Sequence, residues 1–243
     1  VYADDVKRIH WTKKDTAENA RWWWSSFLEN RRKVAYATPD CFRRIYAAQL
    51  KVPEYRQMLE DDNGRGKISM FGTIDDHDYG KNNGDKTYPF RCEAGIQFTN
   101  FLGLTNETSA MARRAAKGLG VYGVQVYDFS STTHRLLTDT EAGLDPDVVP
   151  EQNDRHRSND SDEETNQLVA VFVLDVRSNR TPWATTIPER FKVDPDGDFL
   201  GEDQWKWFET ALGRSNASVN IIVSGVQVHA PWFYDGNRVE NWR

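Results

Sequence analysis

The feature that most restricts the fold of this chain is Leu168–Val176, LVAVFVLDV, an almost unbroken apolar, β-branched run. A strand with one wet face alternates apolar and polar residues, whereas a continuous run is what a strand covered on both faces needs. Val219–Val228 repeats that composition. Between the two, Glu202–Leu212 sets Trp205, Phe208 and Leu212 at helical spacing and stops at Gly213, the pattern of an amphipathic helix with a glycine terminator. Strand, helix, strand is a βαβ unit, and it predicts a layered α/β domain. With 243 residues the chain can bury a substantial core as a single domain over 1–243.

A third apolar run, Ile68 to Ile74, lies in the segment Lys67–Asp85, KISMFGTIDDHDYGKNNGD. It reads as a buried strand that breaks abruptly into Asp75, Asp76, His77 and Asp78, with a glycine- and asparagine-rich loop behind. Unpaired charge is costly to bury, so packing alone explains these side chains poorly. Ligands of open α/β sheets sit at the carboxyl ends of strands, and carboxylates beside an imidazole can hold a metal or move a proton. A solvated turn in which Asp75 and Asp78 cap the backbone is the other reading these residues allow. Leu168–Val176 also ends in ionisable residues, Asp175 and Arg177.

Helices fill the rest of the first half. Asp15 and Glu18 have capping-box spacing, and Ala20, Trp23, Trp24, Phe27 and Leu28 follow at helical intervals, so Asp15 to about Tyr36 reads as amphipathic and its tryptophans as core. Thr38-Pro39 starts a second helix with Cys41, Ile45 and Ala48, closed by Pro53, and Tyr55–Glu60 forms a short third. Phe90–Gly103 and Met111–Lys117 are further helices, and Val121–Phe129 alternates as a strand. Arg113 and Arg114, near a helix end, read as solvated or dipole-related.

Charge is uneven. Asp139 to Glu164 holds ten acids against Arg155 and Arg157, a balance of −8, so the remainder of a chain with net charge −6 carries +2. Thr138–Asn166 therefore reads as an exposed, acidic, flexible insertion. No basic stripe interleaved with aromatics is present, which argues against nucleic acid as a partner, and no apolar run is long enough to span a bilayer. Asp194-Pro-Asp-Gly-Asp198 lacks the spacing and terminal glutamate of a calcium loop and reads as a turn. His10, His134, His156 and His229 have no partners at metal-ligand spacing. Two cysteines, Cys41 and Cys92, make no disulfide framework, although one bridge is open to them. Sequons at Asn106, Asn159, Asn179 and Asn216 suit a secreted eukaryotic protein. The chain opens at Val1 rather than methionine, so the lack of a signal peptide carries no information on targeting.

In order, VYAD at Val1–Asp4, DDHDYGKNNGD at Asp75–Asp85, GVYG at Gly120–Gly123, LDVRSNR at Leu174–Arg180, LGEDQWKW at Leu200–Trp207 and SNASVNIIVSGVQV at Ser215–Val228 resemble the landmarks of the alkaline phosphatase D (PhoD-like) metallophosphatases. That resemblance implies part of a metallophosphatase-type αββα sandwich with helical insertions, and hydrolysis of phosphoric monoesters or diesters by metal-activated water. It implies iron and calcium as cofactors, with Tyr2 at the position of an iron-contacting tyrosine, Asp76 at a metal-ligating position and Asp75 as a weaker or supporting ligand. His77 matches a histidine that holds the phosphoryl oxygen or protonates the leaving group. Arg177, with Asp175, matches a strand-end motif without an assigned chemical role and is the candidate substrate-binding residue.

The departures from the family pattern carry their own expectation. The aspartate three residues before the tyrosine would precede Val1, and an SGDVH-type metal motif would follow Arg243, so the chain corresponds to the middle of the site without its flanks. Impaired metal binding is expected of such a fragment. The competing reading is a catalytically inert binding or structural module of the same fold that binds no metal.

Overall fold

A computed structural model of the chain describes residues 37–60, 70–81, 83–107, 109–130, 135–145, 167–182, 185–186, 190–191, 196–228, 233–234 and 237–238. Within them lie α1 (Pro39–Gln49), α2 (Pro53–Glu60), α3 (Asp76–Tyr79), α4 (Arg91–Phe101), α5 (Ala110–Ala116), β1 (Gly123–Asp128), β2 (Arg135–Thr138), β3 (Leu168–Leu174), β4 (Thr185–Thr186), β5 (Arg190–Phe191), α6 (Glu202–Arg214), β6 (Val219–Ser224), β7 (Phe233–Tyr234) and β8 (Asn237–Arg238). The fold is mixed α/β. Its main sheet has the order β2-β1-β3-β6. β1 runs antiparallel to both β2 and β3, while β3 and β6 are parallel, with Val171 opposite Ile221. The helix α6 joins the parallel pair, as a parallel connection requires.

β3 is covered on both faces, as its composition demands. Val173 belongs to a cluster with Phe42, Tyr46, Ile74, Tyr79, Phe98 and Met111, drawn largely from the helices of the first half. Ala170, Phe172 and Leu174 point the other way, into a cluster with Tyr122, Val124, Val126, Trp207 and Ala211. Close approach of α4 and α5 uses Gly95, where an added Cβ would lie 3.2 Å from Val121 Cγ2 and 3.4 Å from Ala115 Cβ. Ser109 caps α5 by accepting the amide of Ala112 at 3.3 Å. Thr38 occupies the N-cap of α1 without a side-chain cap bond.

Several expectations meet a different arrangement. The described part of the Ile68–Ile74 run, residues 70–74, forms no strand and joins no sheet. Ile74 is fully buried, and Thr73 donates its hydroxyl to the carbonyl of Val121 at 2.7 Å. The apolar pattern reports burial, which a segment packed against its neighbours achieves without a ladder. Among the described residues β6 is an outer strand rather than a buried one, with its apolar side chains exposed along its length. On α6, Gln204, Trp207 and Ala211 face inward, whereas Trp205 turns outward and donates its indole N–H to Asp198 at 2.8 Å.

Arg114 is not a solvated arginine. It is 3% exposed, with its guanidinium 5.2 Å from the Tyr122 ring centroid and 5.1 Å from that of Trp207. Asp139 and Asp145 pair with it at 3.5 and 3.3 Å. Both acids are buried, and burial holds the Asp139 carboxyl above the usual range although Arg114 opposes the shift. This cluster fastens the start of the acidic stretch to α5, and residues 146–166 of that stretch lie outside the described residues. The helix expected over Asp15 to Tyr36, together with Tyr2, His10, His134, His156 and His229, also lies outside them.

Candidate functional site at the strand ends

The DDHD segment forms the one-turn helix α3. Asp75 stands at its N-cap position with extended backbone and accepts the Tyr79 amide on its carbonyl at 2.8 Å. Gly80 closes the turn in the left-handed region at φ 91°. A side chain there would put Cβ 2.4 Å from Phe42 Cζ, so both conformation and space demand glycine. This turn aims Asp75, Asp76 and His77 differently from one another.

Asp76 is nearly buried, and each of its carboxylate oxygens accepts a backbone N–H. Oδ1 takes the amide of His77 at 2.9 Å and Oδ2 that of Asn83 at 3.1 Å. The His77 imidazole stands 3.9 Å from Asp76 Oδ1 with 37% of its side chain exposed. Asp78 is partly buried, and desolvation raises its carboxyl above the ordinary value. Tyr79 is fully buried and donates its hydroxyl to the carbonyl of Asp85 at 3.0 Å. Burial, with Asp175 nearby, pushes its phenol well above the usual range.

Arg177 comes from beyond the carboxyl end of β3 and reaches Asp75 across 102 residues of sequence, donating to Oδ1 from Nε at 2.9 Å and from Nη2 at 2.6 Å. The arginine side chain is 2% exposed and that of Asp75 45%. The pair is therefore a buried cation behind an acid that opens to solvent. Gly225, just past β6, closes the third side, because a Cβ there would come 3.4 Å from Asp75 Cγ. Segment ends after β3 and β6 thus meet the start of α3 at one point.

Asp175 is fully buried and organises the loop that presents Arg177. Its Oδ1 accepts the amides of Arg177 and Ser178, both at 2.9 Å, and its Oδ2 accepts Val121 N–H at 2.7 Å and the Ser178 hydroxyl at 2.6 Å. Gln204 is inside for the same reason. It accepts the Asp175 amide at 2.9 Å and donates to the Asp175 carbonyl at 2.7 Å, tying α6 to the strand end. Farther along, Arg180 is 1% exposed and donates from Nη2 to the carbonyls of Asn83 and Gly84. The 175–180 loop therefore clasps the 75–85 loop at two places, through Arg177 and through Arg180.

Gly120 is the tightest point of this arrangement. Its φ is +119°, and an added Cβ would lie 2.8 Å from Asp175 Oδ2. Gly120→Ala should destabilise the protein by about 3 kcal/mol, combining backbone strain with the displaced carboxylate. A denaturant titration checks this, and an unchanged midpoint would show that the loop relaxes around the methyl group.

Asp75, Asp76 and His77 are contiguous, and Arg177 joins Asp75; Tyr2 is outside the described residues. Sequence reasoning missed Gly120, Ser178, Arg180 and Gln204 as the supports of the site. Their partners are far away in the chain, and no local spacing marks them. The carboxylates of Asp75 and Asp76 suit a hard cation in kind, since each retains oxygen lone pairs beyond its present bonds. In number they fall short: among the described residues no group of three or more His, Cys, Asp or Glu converges on one point. Among those residues, too, no helix is long and apolar enough to cross a membrane. Comparisons of the chain with protein-family models, with curated proteins and with solved structures found no match.

Proposed function

We propose that this chain carries part of the site of a metal-dependent phosphoric-ester hydrolase of the alkaline phosphatase D type, on a metallophosphatase-type sandwich. One observation supports the reading above the others: the Asp75–Arg177 contact joins two of the ordered landmarks, DDHD and the β3-end motif, through a charge-assisted pair. Asp75 and Asp76, with Tyr2, would hold the metals, and iron and calcium suit such oxygen donors. When bound, they supply neutralisation of phosphoryl charge and a nucleophile made from water, so that no protein nucleophile is required.

The chain's own groups have separate tasks. The two backbone N–H groups on Asp76 fix the direction of its carboxylate. Arg177, the candidate substrate-binding residue, donates to Asp75 Oδ1 from Nε and Nη2 and so also positions that carboxylate. His77, partly exposed beside Asp76, supplies the proton that an alkoxide or aryloxide leaving group takes up. The substrate is a phosphate ester, and nothing in the charge distribution calls for a nucleic acid.

The full-length protein should release inorganic phosphate from a simple aryl phosphate, and chelation should abolish the release reversibly. Phosphate release that survives exhaustive chelation would overturn the metal-dependent mechanism. A second reading, a non-catalytic module of this fold, is favoured by one feature. The Asp75–Arg177 pair ties two distant loops together through a buried guanidinium, as a structural lock does. That reading predicts no turnover and no bound metal in a folded protein.

A further inference from the structure

Asp76 Oδ2 accepts the Asn83 amide at 3.1 Å, so the direction of that carboxylate depends on where the Asn83 backbone stands. Among the described residues Asn83 is the one non-glycine residue in the left-handed region, at φ 52°. Asparagine tolerates that region better than most side chains, but the conformation still costs free energy and persists where the surroundings impose it.

Contacts on both sides of Asn83 impose it here. The Asp76 carboxylate holds its N–H. On the carbonyl side, one nitrogen of Arg180, Nη2, donates to the carbonyl of Asn83 and to that of Gly84, the latter at 3.0 Å. Two successive carbonyls are thereby drawn to a single charged donor, and hydrogen bonds of this charge-assisted kind are the strong ones. Arg180 grips the loop a second time, because its own carbonyl accepts the Lys86 amide at 3.0 Å. Its amide in turn donates to the Arg177 carbonyl at 3.3 Å, which fixes it in the turn that presents Arg177.

The rest of the loop has other supports. Asp85 Oδ1 accepts the amide and the hydroxyl of Thr87 at 2.9 and 2.6 Å, and the Gly84 amide turns back to the Lys81 carbonyl at 2.7 Å. A Cβ on Gly84 would lie 2.5 Å from Tyr79 Cδ1, so this residue is seated against α3 as well. The contribution that Arg180 makes is therefore the direction of the Asn83 and Gly84 carbonyls, and with it the left-handed turn that sends the Asn83 N–H to Asp76.

We propose that Arg180 is a positioning residue that sets the direction of the Asp76 carboxylate through the backbone of Asn83. Its effect on a metal at Asp76 rests on the hydrolase reading; the relay from Arg180 to Asp76 does not. A guanidinium has donors and no acceptor, so it cannot bond the Asn83 amide itself. Any change in that amide on altering Arg180 must travel through the turn.

The test compares full-length wild type with Arg180→Met, which keeps a long stem and removes the donors, and Arg180→Lys, which returns one donor group. Hydrogen exchange is read at the Asn83 amide and at the amides of β1 and β3, and calcium chloride is titrated into the metal-free proteins by calorimetry. In Arg180→Met the Asn83 amide should exchange at least about tenfold faster while the sheet amides keep their wild-type rates, the pattern of a local opening. Calcium affinity should fall by about 10–100-fold, the usual loss when a partner that orients a metal ligand is removed. Arg180→Lys should recover part of both. An Asn83 amide as slow in folded Arg180→Met as in wild type would overturn the relay, and unchanged calcium affinity beside a loosened amide would overturn the positioning role. Should Arg180→Met not fold, the Asn83 amide of Arg180→Lys decides: faster exchange than in wild type supports the relay, and equal exchange overturns it. A wild type that takes up no calcium counts against the metal-dependent reading and not against the relay, which the Asn83 amide then decides alone.

Discussion

Asp175→Ala should leave little folded protein. The substitution strips four buried donors of their acceptor at once: the amides of Val121, Arg177 and Ser178 and the Ser178 hydroxyl. A buried donor left unsatisfied costs about 1–3 kcal/mol, so the sum exceeds about 4 kcal/mol. A domain is stable by only about 5–15 kcal/mol in total. Asp175→Asn should fall between the two, because it keeps one acceptor oxygen and turns an amino group toward the Val121 amide or its neighbours. Chemical denaturation of the three proteins checks the order. An Asp175→Ala protein as stable as the wild type would mean that water or a rearranged loop takes over all four bonds.

His77→Ala should do the opposite, sparing the fold and removing turnover. The imidazole is partly exposed and its backbone amide keeps the bond to Asp76, so stability should change by no more than about 0.5 kcal/mol. Loss of a positioned proton donor lowers a rate by about 10²–10⁴-fold. The loss should be greatest for poor leaving groups, which need the proton most, and smallest for activated aryl phosphates. An unchanged rate on an alkyl phosphate would remove His77 from the mechanism.

The contrast between these two residues also shows where the sequence is readable. Both read as ionisable residues at the end of an apolar run, and His77 belongs to a group that packing alone explains poorly. For Asp175 the explanation is structural after all: its acceptor capacity is consumed by one loop, partly through Val121, which lies 54 positions earlier. No spacing rule reaches that far. Asp75 shows the same limit, since its partner Arg177 is 102 residues away.

Burial was legible where both faces of an element are covered by the chain itself. β3 reads correctly because Val173 and Phe172 each meet a cluster on their own side of the sheet. β6 has the same composition and the same expectation, yet among the described residues it ends the sheet and exposes its isoleucines. Composition reports what a strand would bury, and topology decides whether anything is there to bury it. α6 shows a finer version of the problem: its inward face is shifted because Gln204, polar and unremarked in the sequence, is drawn inside by the Asp175 backbone. Arg114 departs from expectation for a related reason. Its two aromatic neighbours and two acids come from three other parts of the chain.

The most direct test of the central claim is elemental analysis of the folded, full-length protein, purified without chelator and dialysed against metal-free buffer. The hydrolase reading predicts iron or calcium in whole-number stoichiometry with the polypeptide. A protein that keeps its circular dichroism and carries neither metal above background would contradict it, and would leave the Asp75–Arg177 pair as a structural lock.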